Sequence, residues 1–440
     1  MTSSRVSALF FLATLALPAC AALDIQNWTT PQGARVYFVE NHDLPLLDIR
    51  VDFDAGSARD SREQSGLASL TRQIMSLGAG PYSERDIAER IADVGADLGD
   101  HLDADRAGFT LRTLSGKEER EQSVGLLAAI LSAPRFEAGI VLREKARVIA
   151  GLKEAATQPE YIGARAFKAA IYGDHPYARS DGGEVDAVAG IQRDDLAAFH
   201  RNYYRAPNLS IAVMGDISRA DAEALVARLA SGLPPGAPPS PIPPVKTAAQ
   251  GRVQILPHPA TQSHLFMGLP GLKREDADYF PLYVGNYVLG GGGFDSRLTK
   301  NIREQKGLAY SVYSYFMPMR ELGPFQIGLQ TRREQTDAAV ASARAELERY
   351  LKEGPSETEL TQAKNNLVGG FPMRIDSNKK ILEYLAMIGI YRLPPDWLDR
   401  DISRVAAVSR DDVLRAFRAR VQPAAIDTVI VGGQRAAPEK

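Results

Sequence analysis

Between Ser231 and Gly251 the chain reads SGLPPGAPPSPIPPVKTAAQG, with seven prolines at positions 234, 235, 238, 239, 241, 243 and 244. Proline has no backbone N–H and a fixed φ, so neither a helix nor a central strand can run through this stretch. Its length also exceeds that of an ordinary surface loop. The expected conformation is a semi-rigid extended linker, so the chain must fold on either side of it.

The flanking halves share a plan. The first opens with strand-like ARVYFVEN and LLDIRVDFDAG, continues through helical patterns at 65–77 and 83–94 and strand-like AGFTLRTL, and then carries long helices from 118 to 170. It closes with DDLAAFHRNYYRAPNLSIAVMGD: helix, aromatic turn, buried strand. The second opens with GRVQILPHP and SHLFMGLPG, with helices at 276–289 and 295–305 and strands at 308–316 and 324–330. Helices at 334–352 and 356–391 follow, and RDDVLRAFRARVQPAAIDTVIVGG closes it in the same order. The fold class read from this repetition is α+β: two homologous halves from internal duplication, each a mainly antiparallel sheet with helices on one face.

With 440 residues the chain exceeds a single core. A formal net charge of -2, with no basic stripe interleaved with aromatics, excludes a nucleic-acid partner on electrostatic grounds. The N-terminus, MTSSRVSALFFLATLALPACAALD, has Arg5, an apolar run and small residues about Ala19-Cys20-Ala21-Ala22. This is a signal-peptide pattern, too short for a membrane span, and it implies export to the periplasm. Cys20 is the only cysteine, so no intrachain disulfide can form. LPAC resembles a lipobox, so Cys20 is either acylated, giving a membrane anchor, or removed by cleavage near Ala21 or Ala22. The expected divisions are residues 1–22, signal peptide; 23–230, N-terminal domain; 231–250, linker; 251–440, C-terminal domain.

Four stretches carry a resemblance to a known family: GSARDSREQSGLASLTRQIMSLGAG, YGDHPYA, FHRNYYRAPNLSIAVMGD and above all GGGGFDSRLTKNIREQKGLAYSVYSYF. Over nearly all its mature length the chain resembles the pitrilysin or insulinase-like peptidases, the inverted zincins. The resemblance implies two homologous domains folded clam-like around a peptide chamber. Active members carry His-x-x-Glu-His on a helix, where residues four apart share a face and aim two imidazoles at one zinc. The intervening glutamate acts as general base, and an acidic residue of a later helix completes the site.

Here the imidazole positions are Ser69 and Gln73 and the base position is Arg72. A hydroxyl and an amide are poor zinc ligands, and a guanidinium sets a fixed positive charge beside the dication. In REKARVIAGLKEA the third-ligand position falls on Gly151, with Glu144 and Glu154 leaving the register open. The six histidines form no His-x-x-x-His pair. His258 and His264 lie on adjacent strand-like segments, and the commoner reading for such histidines is one without metal. There is no Gly-x-Ser-x-Gly nucleophile motif.

The second half keeps Arg303, in the last turns of a helix ended by Gly307, and Tyr310, near the start of the next strand. From Leu308 the pattern is a strand with Tyr310, Val312 and Ser314 on one face. The resemblance places such an arginine and tyrosine opposite the zinc site, where both can donate to a scissile carbonyl as it becomes an oxyanion. The run LGGGGFDSRL lacks the Walker lysine and follows a helix, so it points to close backbone approach rather than phosphate binding. His175 and the Tyr203–Tyr204 pair read as structural.

The expectation is a non-catalytic subunit of a two-chain zinc peptidase. This chain binds no metal cofactor and supplies Arg303, Tyr310 and substrate-binding surface. A homologous partner with His-x-x-Glu-His holds the zinc, and the substrates are peptides or unfolded segments. The alternatives are a structural scaffold without catalytic contribution and a peptide-capture module acting alone.

Overall fold

The computed structural model describes residues 23–432; the expected signal peptide, with Cys20, lies outside them. The first half runs β1 (Gln26–Thr29), β2 (Arg35–Glu40), β3 (Leu46–Phe53), α1 (Leu67–Met75), β4 (Gly78–Ala79), β5 (Tyr82–Ser83), α2 (Glu84–Asp93), β6 (Asp97–Leu102) and β7 (Ala107–Leu114). Helices α3 (Lys117–Ser132), α4 (Ala138–Ala155), α5 (Pro159–Tyr172), α6 (Val185–Gly190) and α7 (Arg193–Tyr203) precede β8 (Leu209–Gly215) and α8 (Arg219–Ser231). The second half opens with β9 (Val253–Leu256), β10 (Gln262–Leu272) and α9 (Tyr279–Asn286). Two π-helical turns, Tyr287–Gly291 and Thr299–Gln305, lead to β11 (Ser311–Phe316) and β12 (Gly323–Arg332). Then come α10 (Thr336–Glu353), α11 (Glu357–Gly369), α12 (Asn378–Tyr391), α13 (Trp397–Ala407), α14 (Arg410–Arg420) and β13 (Asp427–Val431).

The two sheets have one topology. The order β1-β2-β8-β3-β7-β6 corresponds strand for strand to β9-β13-β10-β12-β11 once β1 is set aside. In both, one parallel pair (β2 with β8, β13 with β9) adjoins an antiparallel set. Strand β3 shows why the sheet packs as it does. Leu47, Ile49, Val51 and Phe53 enter the core with helices α1, α3, α7 and α8, while alternation puts Asp48, Arg50 and Asp52 on the opposite face.

Sequence pattern predicts helices on one face of each sheet; the structure covers the other face as well, with a helix of the opposite half. Helix α12 lays Ile381, Leu382 and Leu385 on Val39, Ala212 and Met214 of the first sheet. Helix α5 lays Phe167, Ile171 and Tyr172 against Phe266, Val429 and Val431 of the second. This double cover is why all seven residues of β8 are buried. The α12 apolar side chains, at roughly 1.5–3 kcal/mol each, outweigh the neighbouring Arg50–Glu383 ion pair. That pair spans 2.6 Å but leaves Glu383 about half exposed, which puts it near the 0–1 kcal/mol of surface pairs.

A buried polar node also joins the halves. The Asp105 carboxylate accepts hydrogen bonds from Tyr177 Oη, from the Arg320 backbone N–H at 2.8 Å and from Tyr391 Oη at 2.9 Å. Arg320 then pairs with Asp54 at 2.7 Å, and Asp54 with Arg59. Burial pushes the Asp105 carboxyl upward against these bonds.

The proline-rich segment has no regular secondary structure, as its composition requires, but it is fastened. Ser240 O accepts from Arg59 at 2.6 Å, Pro243 O lies 2.7 Å from His175 Nε2, and Ile242 is buried between the halves. Because His175 Nδ1 accepts from the Tyr177 N–H, its Nε2 is the protonated nitrogen that donates to Pro243. Several boundaries differ from expectation. The 356–391 stretch breaks about a 3-10 turn at Pro372–Arg374, α13 is an added helix, and the helices expected at 276–289 and 295–305 are partly π-helical. Gly290 sits so close to β11 that a Cβ there would lie 2.4 Å from Ser314 Oγ, which accounts for the glycine run as close approach.

Candidate functional site

Helix α1 begins at Gly66, whose φ of 102° suits glycine alone, and its first turn is held by a side chain from upstream. Asp60 accepts from the Gly66 and Ala68 N–H groups at 2.7 and 2.8 Å. Burial pushes this carboxyl up to about 7 although both bonds oppose the rise. Leu67, Leu70, Thr71, Ile74 and Met75 fill the core side of α1, which leaves Ser69, Arg72 and Gln73 half-buried on the other. This is the face on which the inverted motif would hold its metal.

Two pairs occupy that face. Gln73 Nε2 donates to Glu144 Oε2 on α4 at 2.7 Å, and Glu144 is 2% exposed. Arg143 Nε donates to the other oxygen at 2.7 Å, and Arg147 lies 3.6 Å away. At the base position Arg72 is paired with Asp100 of β6. Gly151 lies seven residues beyond Glu144 on α4, two turns along the same face, and is exposed; a Cβ there would meet nothing within 4 Å. Glu144 is thus engaged by Gln73, and Glu154 is exposed three residues past Gly151.

Zinc does not fit this donor set. The three ligand positions offer a hydroxyl, an amide and no side chain, with a guanidinium at the centre. Among the described residues no group of three or more His, Cys, Asp or Glu is placed to hold a metal ion. His258 Nε2 lies 3.0 Å from the Thr157 carbonyl. Burial holds His264 below its usual value. Tyr204 stacks between Phe53 and His200 in the core.

In the second half the Ile302 side chain is buried and Arg303 faces out, its guanidinium 5.0 Å over the Phe294 ring. Gly307, at φ 63°, ends the π-helical turn as expected. Tyr310 is 68% exposed and stands one residue before β11, whose buried face carries Val312 and Ser314. It therefore does not share their face, because the chain turns at Tyr310 rather than running extended from Leu308. No hydrogen bond among the described residues joins Arg303 to Tyr310. Sequence reasoning missed Asp100, whose approach to α1 depends on β6 lying at the sheet edge, and no local pattern announces it.

Two repeated sheets, with an inverted-zincin helix that lacks its ligands, define a peptidase scaffold without a peptidase metal site. Comparison with known proteins places the scaffold in a family. Residues 35–182 match the family described as Insulinase (Peptidase family M16), and residues 190–367 match the Peptidase M16 inactive domain. A solved structure of a peptidase M16 inactive domain from Pseudomonas fluorescens is 34% identical, with a TM-score of 0.91 over 94% of this chain and 99% of that one. The chain belongs to the insulinase, or M16, peptidase family. It is also similar to a non-peptidase homolog of Helicobacter pylori, at 26% identity over 77% of this chain and 78% of that protein. The periplasmic protease PqqL of Escherichia coli shares the fold at 16% identity and a TM-score of 0.78, over 98% of this chain but 49% of that one.

Proposed function

We infer that this chain is the non-catalytic subunit of a two-chain zinc peptidase, exported to the periplasm, whose partner holds the His-x-x-Glu-His site. The observation that carries the reading is the contrast between the two motifs. The ligand face of α1 is closed by Gln73–Glu144 and Arg72–Asp100, while Arg303 and Tyr310 remain exposed. A guanidinium and a phenol that spend no side-chain hydrogen bond among the described residues can donate to a substrate carbonyl as its oxygen gains charge. That the E. coli periplasmic protease has a chain of about twice the matched length supports pairing of two such units. The substrates are peptides or unfolded segments.

The test is co-purification of the chain with a His-x-x-Glu-His homologue, metal analysis of each separated chain, and turnover of a fluorogenic peptide by the pair. Tyr310→Phe is expected to lower kcat by about 10²–10³ with assembly unchanged. Unchanged turnover removes the donor role and leaves a scaffold. Zinc held tightly by this chain together with proteolysis by it alone overturns the reading.

A further inference from the structure

The repeated topology gives every element around the vacated metal site a counterpart. Counting from the matched strands, α1, α4 and β6 correspond to α9, α11 and β11. In the first half this corner is filled by the two polar pairs. In the second it is a cleft of about 780 Å³ walled by Tyr279, Tyr283, Tyr287, Tyr313 and Tyr315.

The charged side chains that line this cleft are Arg274 and Arg374. Arg374 is satisfied: it donates to Tyr283 Oη at 2.8 Å and to the Leu367 carbonyl, and the buried Asp401 carboxyl lies near enough to act on it. Arg274 is not. Among the described residues it enters no salt bridge and its side chain makes no hydrogen bond, while its Nε is shielded from solvent. Its guanidinium rests against the rings of Tyr391 at 5.2 Å and Tyr279 at 5.9 Å. Aromatic faces hold the cation in place, yet satisfy none of its donors. A carboxylate matches the free fork with two parallel N–H···O bonds, and tyrosine walls suit an apolar or aromatic body beside it.

We propose that this cleft, the pseudosymmetric counterpart of the lost metal site, binds a carboxylate-bearing ligand with an aromatic or aliphatic body, anchored by Arg274. The C-terminal residue of a peptide and a free aromatic acid share this chemistry. Access for a peptide exists, because Arg274, Tyr315 and Pro318 also line a cavity of about 510 Å³ between the halves. There Arg106 pairs with Asp103, Lys168 with Asp181 and Glu383 with Arg50, so no carboxylate of that cavity is paired with Arg274. The site needs no partner subunit and stands independently of the subunit reading.

The test uses the full mature chain alone, titrated with acetyl-Leu-Phe bearing a free carboxylate, with the same dipeptide as its amide, and with 3-phenylpropionate. Calorimetry gives affinity, and the fluorescence of Trp397, whose ring lies 5.6 Å from Tyr279, reports on the cleft. The acid is expected to bind at least about tenfold tighter than the amide, or about 1.4 kcal/mol. Arg274→Gln is expected to erase that difference without changing the melting temperature. Phenylpropionate binding as tightly as the dipeptide supports the site and identifies a free acid as its ligand; weaker binding identifies a peptide terminus. Equal binding of acid and amide, or no binding of any probe, overturns the proposal even if the variant does not fold. A preference that survives Arg274→Gln overturns it too.

Discussion

Gln73 and Glu144 meet at 2.7 Å across α1 and α4, an amide donating to a buried carboxylate where an imidazole and a metal would otherwise lie. The contact converts a metal site into a polar staple between two helices. Arg143, which also binds Glu84 at 2.9 Å, sets a guanidinium against the same Glu144 carboxylate.

The staple has a measurable strength. Glu144→Ala removes the acceptor of the Gln73 amide and the counter-charge of Arg143 and Arg147, and a buried donor left without a partner costs about 1–3 kcal/mol. Urea unfolding of Gln73→Ala, Glu144→Ala and the double variant is expected to give a coupling of about 0.5–3 kcal/mol. Strict additivity of the two single effects removes the staple.

The third-ligand position makes a second prediction. Ser69→His, Arg72→Glu and Gln73→His together are expected not to bind zinc tightly, because α4 still lacks a ligand at Gly151. Adding Gly151→Glu, for which there is open space, is expected to raise the zinc content towards one per chain. Gly151→Ala alone should stabilise α4 by about 0.5–1 kcal/mol, since an exposed mid-helix glycine gives up entropy for no packing. Tight stoichiometric zinc in the triple variant contradicts the placement at Gly151.

Asp105 couples the halves through three donors. Asp105→Ala strands two tyrosine hydroxyls and a backbone N–H, at about 1–3 kcal/mol for each group left buried. Hydrogen exchange should rise at residues 320–322 and along α12 while α1 and α3 stay protected. Uniform loss of protection throughout the first half contradicts a local role.

Glu359 contributes to the pH dependence of stability at its acid end. Burial opposes ionisation of Glu359, but hydrogen bonds from Arg297 at 2.7 and 2.6 Å and from the Ser356 N–H prevail and hold its carboxyl at about 2. A depressed native value means the unfolded chain takes up the proton first, so the stabilisation is present above pH 4.5 and is lost between about 4.5 and 2. Discounted for partial exposure, the loss is about 1–2 kcal/mol. Glu359→Gln should flatten that segment of the stability curve, and an unchanged slope would contradict it.

Much of this molecule is legible one segment at a time. Strand alternation in LLDIRVDF, the Ser83 and Ser356 capping boxes and the buried closing strands are local patterns, and they place β3, α2, α11, β8 and β13 well. The replaced ligands Ser69, Arg72 and Gln73 are equally plain because their spacing is fixed by one helix. What is not legible depends on which surface meets which. The stripe Ile381–Leu382–Leu385 shows that α12 buries a face but not that the face belongs to the first sheet. Asp100 opposite Arg72 and Tyr391 against the Arg274 guanidinium likewise join segments well separated in the chain.

The crossing of α5 and α12 has a consequence for how the chain can be divided. Residues 23–230 made alone would bare Val39, Ala212 and Met214 to water, and residues 251–432 would bare Phe266, Val429 and Val431. Neither piece is a removable module, whatever its proline-rich seam implies. A nick in the seam should leave the fragments mated, whereas synthesis of one fragment alone should yield a sticky, aggregating product.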